Sequence, residues 1–189
     1  MNPQTSSNDT SRIPTPSPLM LKVARLADAG QIDDAHRLLT SDGRQTDENR
    51  NARGVLLMRS GRIEAAVDVL RTLALAPGCT WAKPGSPVIH QTNYAASLLM
   101  FGRPLGAVSI LADIGDRNHP AVLRLRDAIR RWERGLSWWQ RLNWKLGSAP
   151  DVPVQLDFAP GDIVDPLTLT PGTLSSDTSA VKRTTQQVV

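Results

Sequence analysis

The 189-residue sequence contains one cysteine, Cys79, so no disulfide can close within the chain and no cysteine-based zinc site can be built. A lone thiol suits a reducing, cytoplasmic setting, and with only Lys83 beside it to favour the thiolate, Cys79 is read as inert. Long apolar runs are also missing. The best, Leu19–Val23, is interrupted by Lys22 and falls far short of the roughly 18 residues that span a bilayer. Residues 1–17 are polar and proline-bearing, without a secretory pattern. The three histidines, His36, His90 and His119, form no i,i+4 pair and have no cysteine partners, so no metal site is assigned. Phosphate-loop, dinucleotide and serine-hydrolase motifs do not occur. Asp33-Asp34, an acidic pair at a helix start, complements the helix dipole. The expectation is a protein that is not an enzyme, with no catalytic residues and no cofactor.

Aromatic residues other than tryptophan are few, one tyrosine and two phenylalanines, yet four of the five tryptophans fall between Arg131 and Gly147. Charge is equally local. Of a net +4, the stretch Pro120–Leu146 contributes +5, from seven basic and two acidic residues. An anionic partner is expected to meet the protein there.

The two ends, 1–17 and 168–189, are rich in Ser, Thr, Pro and Gln and carry too little apolar surface to offset ordering entropy, so disordered tails are expected. Between them helix signals recur. Ser17-Pro18 reads as N-cap and first-turn proline, opening a helix that runs to Gly30. A second begins at Ile32-Asp33-Asp34 and stops before Ser41-Asp42-Gly43. A third runs from Thr46 or Asp47 to Gly61, and a fourth from Arg62 to about Ala76. Ser86-Pro87 reads as another cap-plus-proline start for a helix ending at Gly102. Pro104 starts the next, and Asn118-His119-Pro120 the last long one. Within that last segment Val122, Leu125, Ala128, Ile129 and Trp132 share one face.

Aligning the helix pairs on their turn glycines exposes a repeat. Leu26, Gly30, Ala35, Leu39; Leu57, Gly61, Ala66, Leu70; and Leu98, Gly102, Ala107, Leu111 all obey L-x3-G-x4-A-x3-L. Leucine packs the first helix on the second, glycine ends it tightly, alanine permits close approach, and the last leucine fills the core. These residues resemble the tetratricopeptide repeat (TPR) family, with a small residue seven positions before the glycine in Gly54 and Ala95, and an apolar residue two after it in Ile32 and Ile63. The sequence departs from the family at Val23 and Pro104, lacks its early tryptophan, and spaces its glycines at 31 and 41 residues against about 34 in the family. The resemblance covers roughly residues 17–117. It implies an all-α protein of three TPR-like helix pairs (18–117) in a short α-solenoid, capped by a basic, Trp-rich helical segment (118–147), then an extended arm (148–167).

The resemblance also implies a function: a scaffold whose concave face, lined by the first helix of each pair, binds a protein or peptide segment. Carried over, that face comprises Met20, Ala24, Asn51, Val55, Met58, Thr92, Ala96 and Leu99, with Arg59 at its edge. Family members that hold a partner's C-terminal carboxylate carry lysines, asparagines and an arginine. Here Met20, Ala24, Ala52, Ile89 and Asn93 stand at those places, so an apolar or amphipathic segment suits better. Alternatively the chain's own last helix or tail fills the groove.

Three readings compete for the Trp-rich segment, whose interaction candidates are Trp138, Trp139, Arg141, Trp144 and Lys145. Its rings cap the last pair, or it lies on an anionic membrane as a peripheral anchor, or it is a protein-binding patch. Capping is preferred, with weak or absent liposome binding, and nucleic acid is the weakest reading because no groove-reading motif accompanies the charge. Gly135 is expected to break the helix, with Ser137 and Gln140 forming a capping box beyond it. On a continuous helix Trp132, Leu136 and Trp139 would share a face. Val152–Phe158 alternates apolar and polar residues, as an arm laid along the helices would. Oligomeric state is not assigned.

Overall fold

A computed structural model describes residues 16–169, and the expectations for both tails lie outside it except at Pro16, Ser17, Thr168 and Leu169. The described residues form eight α-helices and no strand, so the protein is all-α. In order they are α1 (Pro18–Asp28), α2 (Ile32–Ser41), α3 (Asp47–Arg59), α4 (Ile63–Ala74), α5 (Val88–Met100), α6 (Pro104–Asp113), α7 (Pro120–Gly135) and α8 (Trp138–Lys145).

A side-chain cap marks half of the starts. The Ser17 hydroxyl accepts the Met20 amide and Pro18 occupies the first turn of α1, where its missing N–H costs nothing. Thr46 caps α3 by accepting from the Asn49 amide, and Ser137 and Gln140 cap α8 reciprocally. At α7 the cap is the His119 ring, whose Nδ1 accepts the Ala121 amide at 3.3 Å. Two starts and stops differ from expectation. Ser86 does not cap α5: the helix begins after Pro87 without a side-chain cap, and the Ser86 hydroxyl donates to the Leu73 carbonyl. Helix α4 stops at Ala74 because Leu75 turns extended and bridges to Ala82 across the Gly78–Pro87 insertion.

The three turns inside the repeat are closely alike. Gly30, Gly61 and Gly102 have φ of +77°, +77° and +78°. In each, the glycine amide reaches back three residues (to Ala27, Met58 and Leu99), and the next amide reaches the leucine carbonyl five residues back (Leu26, Leu57 and Leu98, at 2.8–2.9 Å). This double bond pattern satisfies the orphan carbonyls of a helix end and needs a left-handed residue, which only glycine adopts cheaply. After each turn the alanine of the repeat, Ala35, Ala66 or Ala107, is fully buried.

Helices α1, α3, α5 and α7 touch in succession, and α1 packs on α2, α3 on α4 and α5 on α6, with further packing of α2 on α3 and α4 on α5. The predicted α7 face, Val122, Leu125, Ala128, Ile129 and Trp132, is buried. One continuous apolar cluster runs from Met20 to Val164. Its last members, Val154, Ile163 and Val164, lie outside the helices, in an irregular arm that returns across the α1–α3–α5–α7 row before a 3-10 turn at Pro166–Thr168.

Candidate interaction site

The side chains expected to line a groove are mostly buried: Met20, Asn51, Val55, Met58, Thr92, Ala96 and Leu99 are all inaccessible, and Ala24 is half-buried. What covers this face is the arm. It leaves α8 and is first held where the Trp132 indole N–H donates to the Val152 carbonyl at 3.0 Å. Arg131 then pairs with Asp157, and the Arg124 guanidinium lies over the Phe158 ring, 5.5 Å from its centroid.

The tightest grip is on Gly161 and Asp162. Arg59 donates to the Pro160 carbonyl at 3.2 Å and the Gly161 carbonyl at 2.9 Å, while its remaining nitrogen pairs with Asp28 on α1 at 2.7 Å. Asn93 reads Asp162 at two points: its Oδ1 accepts the Asp162 amide at 2.8 Å and its Nδ2 donates to the Asp162 carbonyl at 2.7 Å. The same Nδ2 donates to Asn51 Oδ1 at 2.8 Å, and Asn51 Nδ2 donates to the Asp162 carbonyl at 3.2 Å. The two amides thus imitate a neighbouring β-strand, satisfying peptide groups of the arm independently of its side chains. The side chain of Asp162 pairs separately with Arg124. Further along, His119 Nε2 meets the Asp165 carboxylate at 3.1 Å. Asp165 in turn accepts the Leu167 amide and opens the 3-10 turn.

Gly161 fits this floor because it has no side chain. Its φ of +73° is one that residues with a Cβ rarely adopt, and a Cβ there would stand 2.6 Å from Met58 Cε, forcing the methionine end to shift, and 3.0 Å from Val55 Cγ2. Met58 and Val55 therefore touch an occupant, and Met20 and Ala24 line two cavities of about 330 and 220 Å³ beside Ile163 and Val164. Thr92 is different. Its hydroxyl donates to the Val88 and Ile89 carbonyls of its own helix; Ala96 and Leu99 lie in the same interior cluster as Met20, Val55 and Met58.

No protein family, curated protein or solved structure matches the chain. The site is consequently read from its own geometry. Among the described residues no group of three or more His, Cys, Asp or Glu is placed to hold a metal ion.

Electrostatics favour the arm in this place. From Ser148 to Leu169 it carries Asp151, Asp157, Asp162 and Asp165 and no basic residue. It crosses α7, the most basic helix, and spends two acids on Arg124 and Arg131. Within Pro120–Leu146, Arg124 and Arg131 are thus matched by acids of the protein's own arm.

The Trp-rich segment divides. Trp132 is buried, and Trp144 packs on it edge-to-face at 5.0 Å, with its indole N–H on Glu133 Oε1 at 2.6 Å. Trp138 and Trp139 do not cap anything: they stack on one another at 3.8 Å and are 62% and 60% exposed. The shared face expected for Trp132 and Trp139 is absent because the helix is not continuous. Gly135 is the last residue of α7, and Leu136, with ψ of 142°, is extended and buried, redirecting α8. Arg141 donates to the Arg134 and Leu136 carbonyls across that break. Lys145 lies with Arg141 and Trp144 on the rim of an open basic cleft of about 810 Å³.

The sequence reading identified Asn51, Val55 and Met58 for the groove, and named Asn93 only as the remnant of a carboxylate clamp. Gly161, Asp162, Arg124 and His119 were missed. One signal was available: after the alternating Val152–Phe158, Pro160-Gly161 reads as a turn and Ile163-Val164 as an adjacent apolar pair.

Proposed function

We propose that this chain is a non-catalytic, cytoplasmic interaction scaffold in which α1–α6 form three TPR-like pairs. Its concave face holds an extended, acidic, glycine-containing segment, with the chain's own arm as resident occupant and a protein segment of the same chemistry as competitor. The observation that carries the reading is the Asn51–Asn93 amide pair on the Asp162 backbone. Two buried amides aimed at peptide groups are costly in a core unless an extended chain satisfies them. A merely structural interior would be served as well by apolar side chains. The three superimposable turns and the succession of contacts from α1 through α3 and α5 to α7 support the TPR-like arrangement. The Arg124 guanidinium adds preference for an acidic residue after a glycine, while Arg59 holds the Pro160 and Gly161 carbonyls.

The test separates groove from core. In full-length protein, Gly161→Ala should loosen the arm while leaving the groove residues untouched. A labelled peptide of native sequence spanning residues 150–169 is then expected to bind this variant at least about ten-fold more tightly than the parent, whose groove is occupied. Adding Asn93→Ala should weaken that binding by roughly 2–3 kcal/mol, because it leaves the peptide's Asp162 amide unpaired and its carbonyl with Asn51 alone. A folded Gly161→Ala protein that ignores the peptide would mean that the face is closed interior.

A further inference from the structure

The arm accounts for the groove and for the acids that neutralise α7, but α8 stands apart. It buries no residue, and only Gln140 and Trp144 are even half-covered. Eight residues are too few for a helix to persist on backbone hydrogen bonding alone. Its capping box and the single Trp144 anchor hold it in place. They turn Trp138, Trp139, Leu142 and Leu146 outward on one face, at 62%, 60%, 41% and 76% exposure.

What borders that face is mainly of one sign: the adjoining cleft is lined by five basic residues, Arg130, Arg131, Arg134, Arg141 and Lys145, against two acidic ones, Asp127 and Glu133. No acidic residue occurs from Arg134 to Pro150, while Arg134, Arg141 and Lys145 line the adjoining cleft. Among the described residues these three enter no ion pair, unlike Arg124, Arg130 and Arg131, which are matched by Asp162, Asp127 and Asp157. The acidic arm thus matches Arg124 and Arg131 and, among the described residues, leaves Arg134, Arg141 and Lys145 without an ion pair.

We propose that α8 is a membrane-surface anchor. Trp138, Trp139, Leu142 and Leu146 enter the headgroup layer of an anionic bilayer, and Arg134, Arg141 and Lys145 receive lipid phosphates in the neighbouring cleft. Stacked indoles are suited to that layer, being apolar over most of their surface with an N–H at the rim, and basic residues beside an apolar helix face supply attraction to anionic lipid. No described helix is long and apolar enough to cross a membrane, so the attachment is peripheral. Because α8 lies outside the helix row, the groove stays available while the protein is bound. The exposure of Trp138 and Trp139 reverses the expectation of weak liposome binding.

Full-length protein is to be mixed with vesicles of phosphatidylcholine alone and of phosphatidylcholine with phosphatidylglycerol, following co-sedimentation and tryptophan emission. Binding is expected for the anionic vesicles, with a blue shift that added salt suppresses. Trp138→Ala/Trp139→Ala should abolish the shift and weaken partitioning at least about ten-fold, with circular dichroism and melting temperature unchanged, since neither ring supports the fold. Arg141→Gln/Lys145→Gln should weaken it on the order of 30-fold. Equal affinity for both vesicle types, no binding, or full binding by the double-tryptophan variant would overturn the proposal. So would tryptophan-dependent self-association without vesicle binding, which would make α8 a protein contact.

Discussion

At the scale of single residues, His90 shows how burial converts into pH dependence. It lies on α5, almost wholly inaccessible, and desolvation pushes its pKa below the ordinary histidine value; Lys83 and Arg50 push the same way while Asp47 opposes. With the folded-state pKa depressed, the unfolded chain binds the proton more readily. The neutral ring's contribution is therefore complete above the unfolded value of about 6.5 and is lost as pH falls below it toward the folded pKa. The melting temperature is expected to drop between about pH 7 and pH 5, and His90→Gln should flatten that slope. Thermal melts across that range check it, and equal slopes for parent and variant would refute it. Asp42 titrates in a separate window, because its hydrogen bonds from Arg44 and Asn49 hold the carboxyl below its usual range.

Among elements, the helix pairs depend on the small residue that follows each glycine turn. Ala66 has no exposed surface, at a point where α3 and α4 pack closely. Replacing it with arginine forces the helices apart and buries an unmatched charge, costing about 3–5 kcal/mol. Ala66→Arg should lower the denaturant midpoint markedly or abolish cooperative unfolding, and a protein that melts like the parent would contradict the close packing. The helices and their glycine turns were legible in the sequence because caps, turns and apolar spacing act within five residues. The break at Leu136 was half-legible: the Ser137–Gln140 box announced a new helix, but nothing local announced its direction. The arm was legible as an extended segment laid along the helices, but its contacts were not. Alternation in Val152–Phe158 reports a period of two, while its partners Asn93 and Asn51 stand 69 and 111 residues from Asp162, and no local pattern encodes such a pairing.

For the molecule as a whole, the charge pattern sets how firmly its parts are held together. The arm is uniformly acidic, and Arg124 and Arg131, which it meets on α7, remain about 40% exposed in their pairs with Asp162 and Asp157, so salt screens them. The Asn93 contacts are buried and should not respond. Raising salt from about 0.05 to 0.5 M is expected to speed protease cleavage within residues 148–159 several-fold. Cleavage within the helices should stay slow, and mass spectrometry of the fragments distinguishes the two. A salt-independent arm would show that its ion pairs contribute nothing to docking.

The long reach of the arm also has a consequence in time. During synthesis the floor is made before its cover, and at about 5–20 residues per second the 69 residues between Asn93 and Asp162 take roughly 3–14 s to add. Helix pairs built from neighbouring contacts fold far faster than that. Each newly made molecule therefore passes through an interval, while still attached to the ribosome, in which Asn51, Asn93, Val55 and Met58 are presented bare. A segment able to sit there has its best opportunity before the protein is finished.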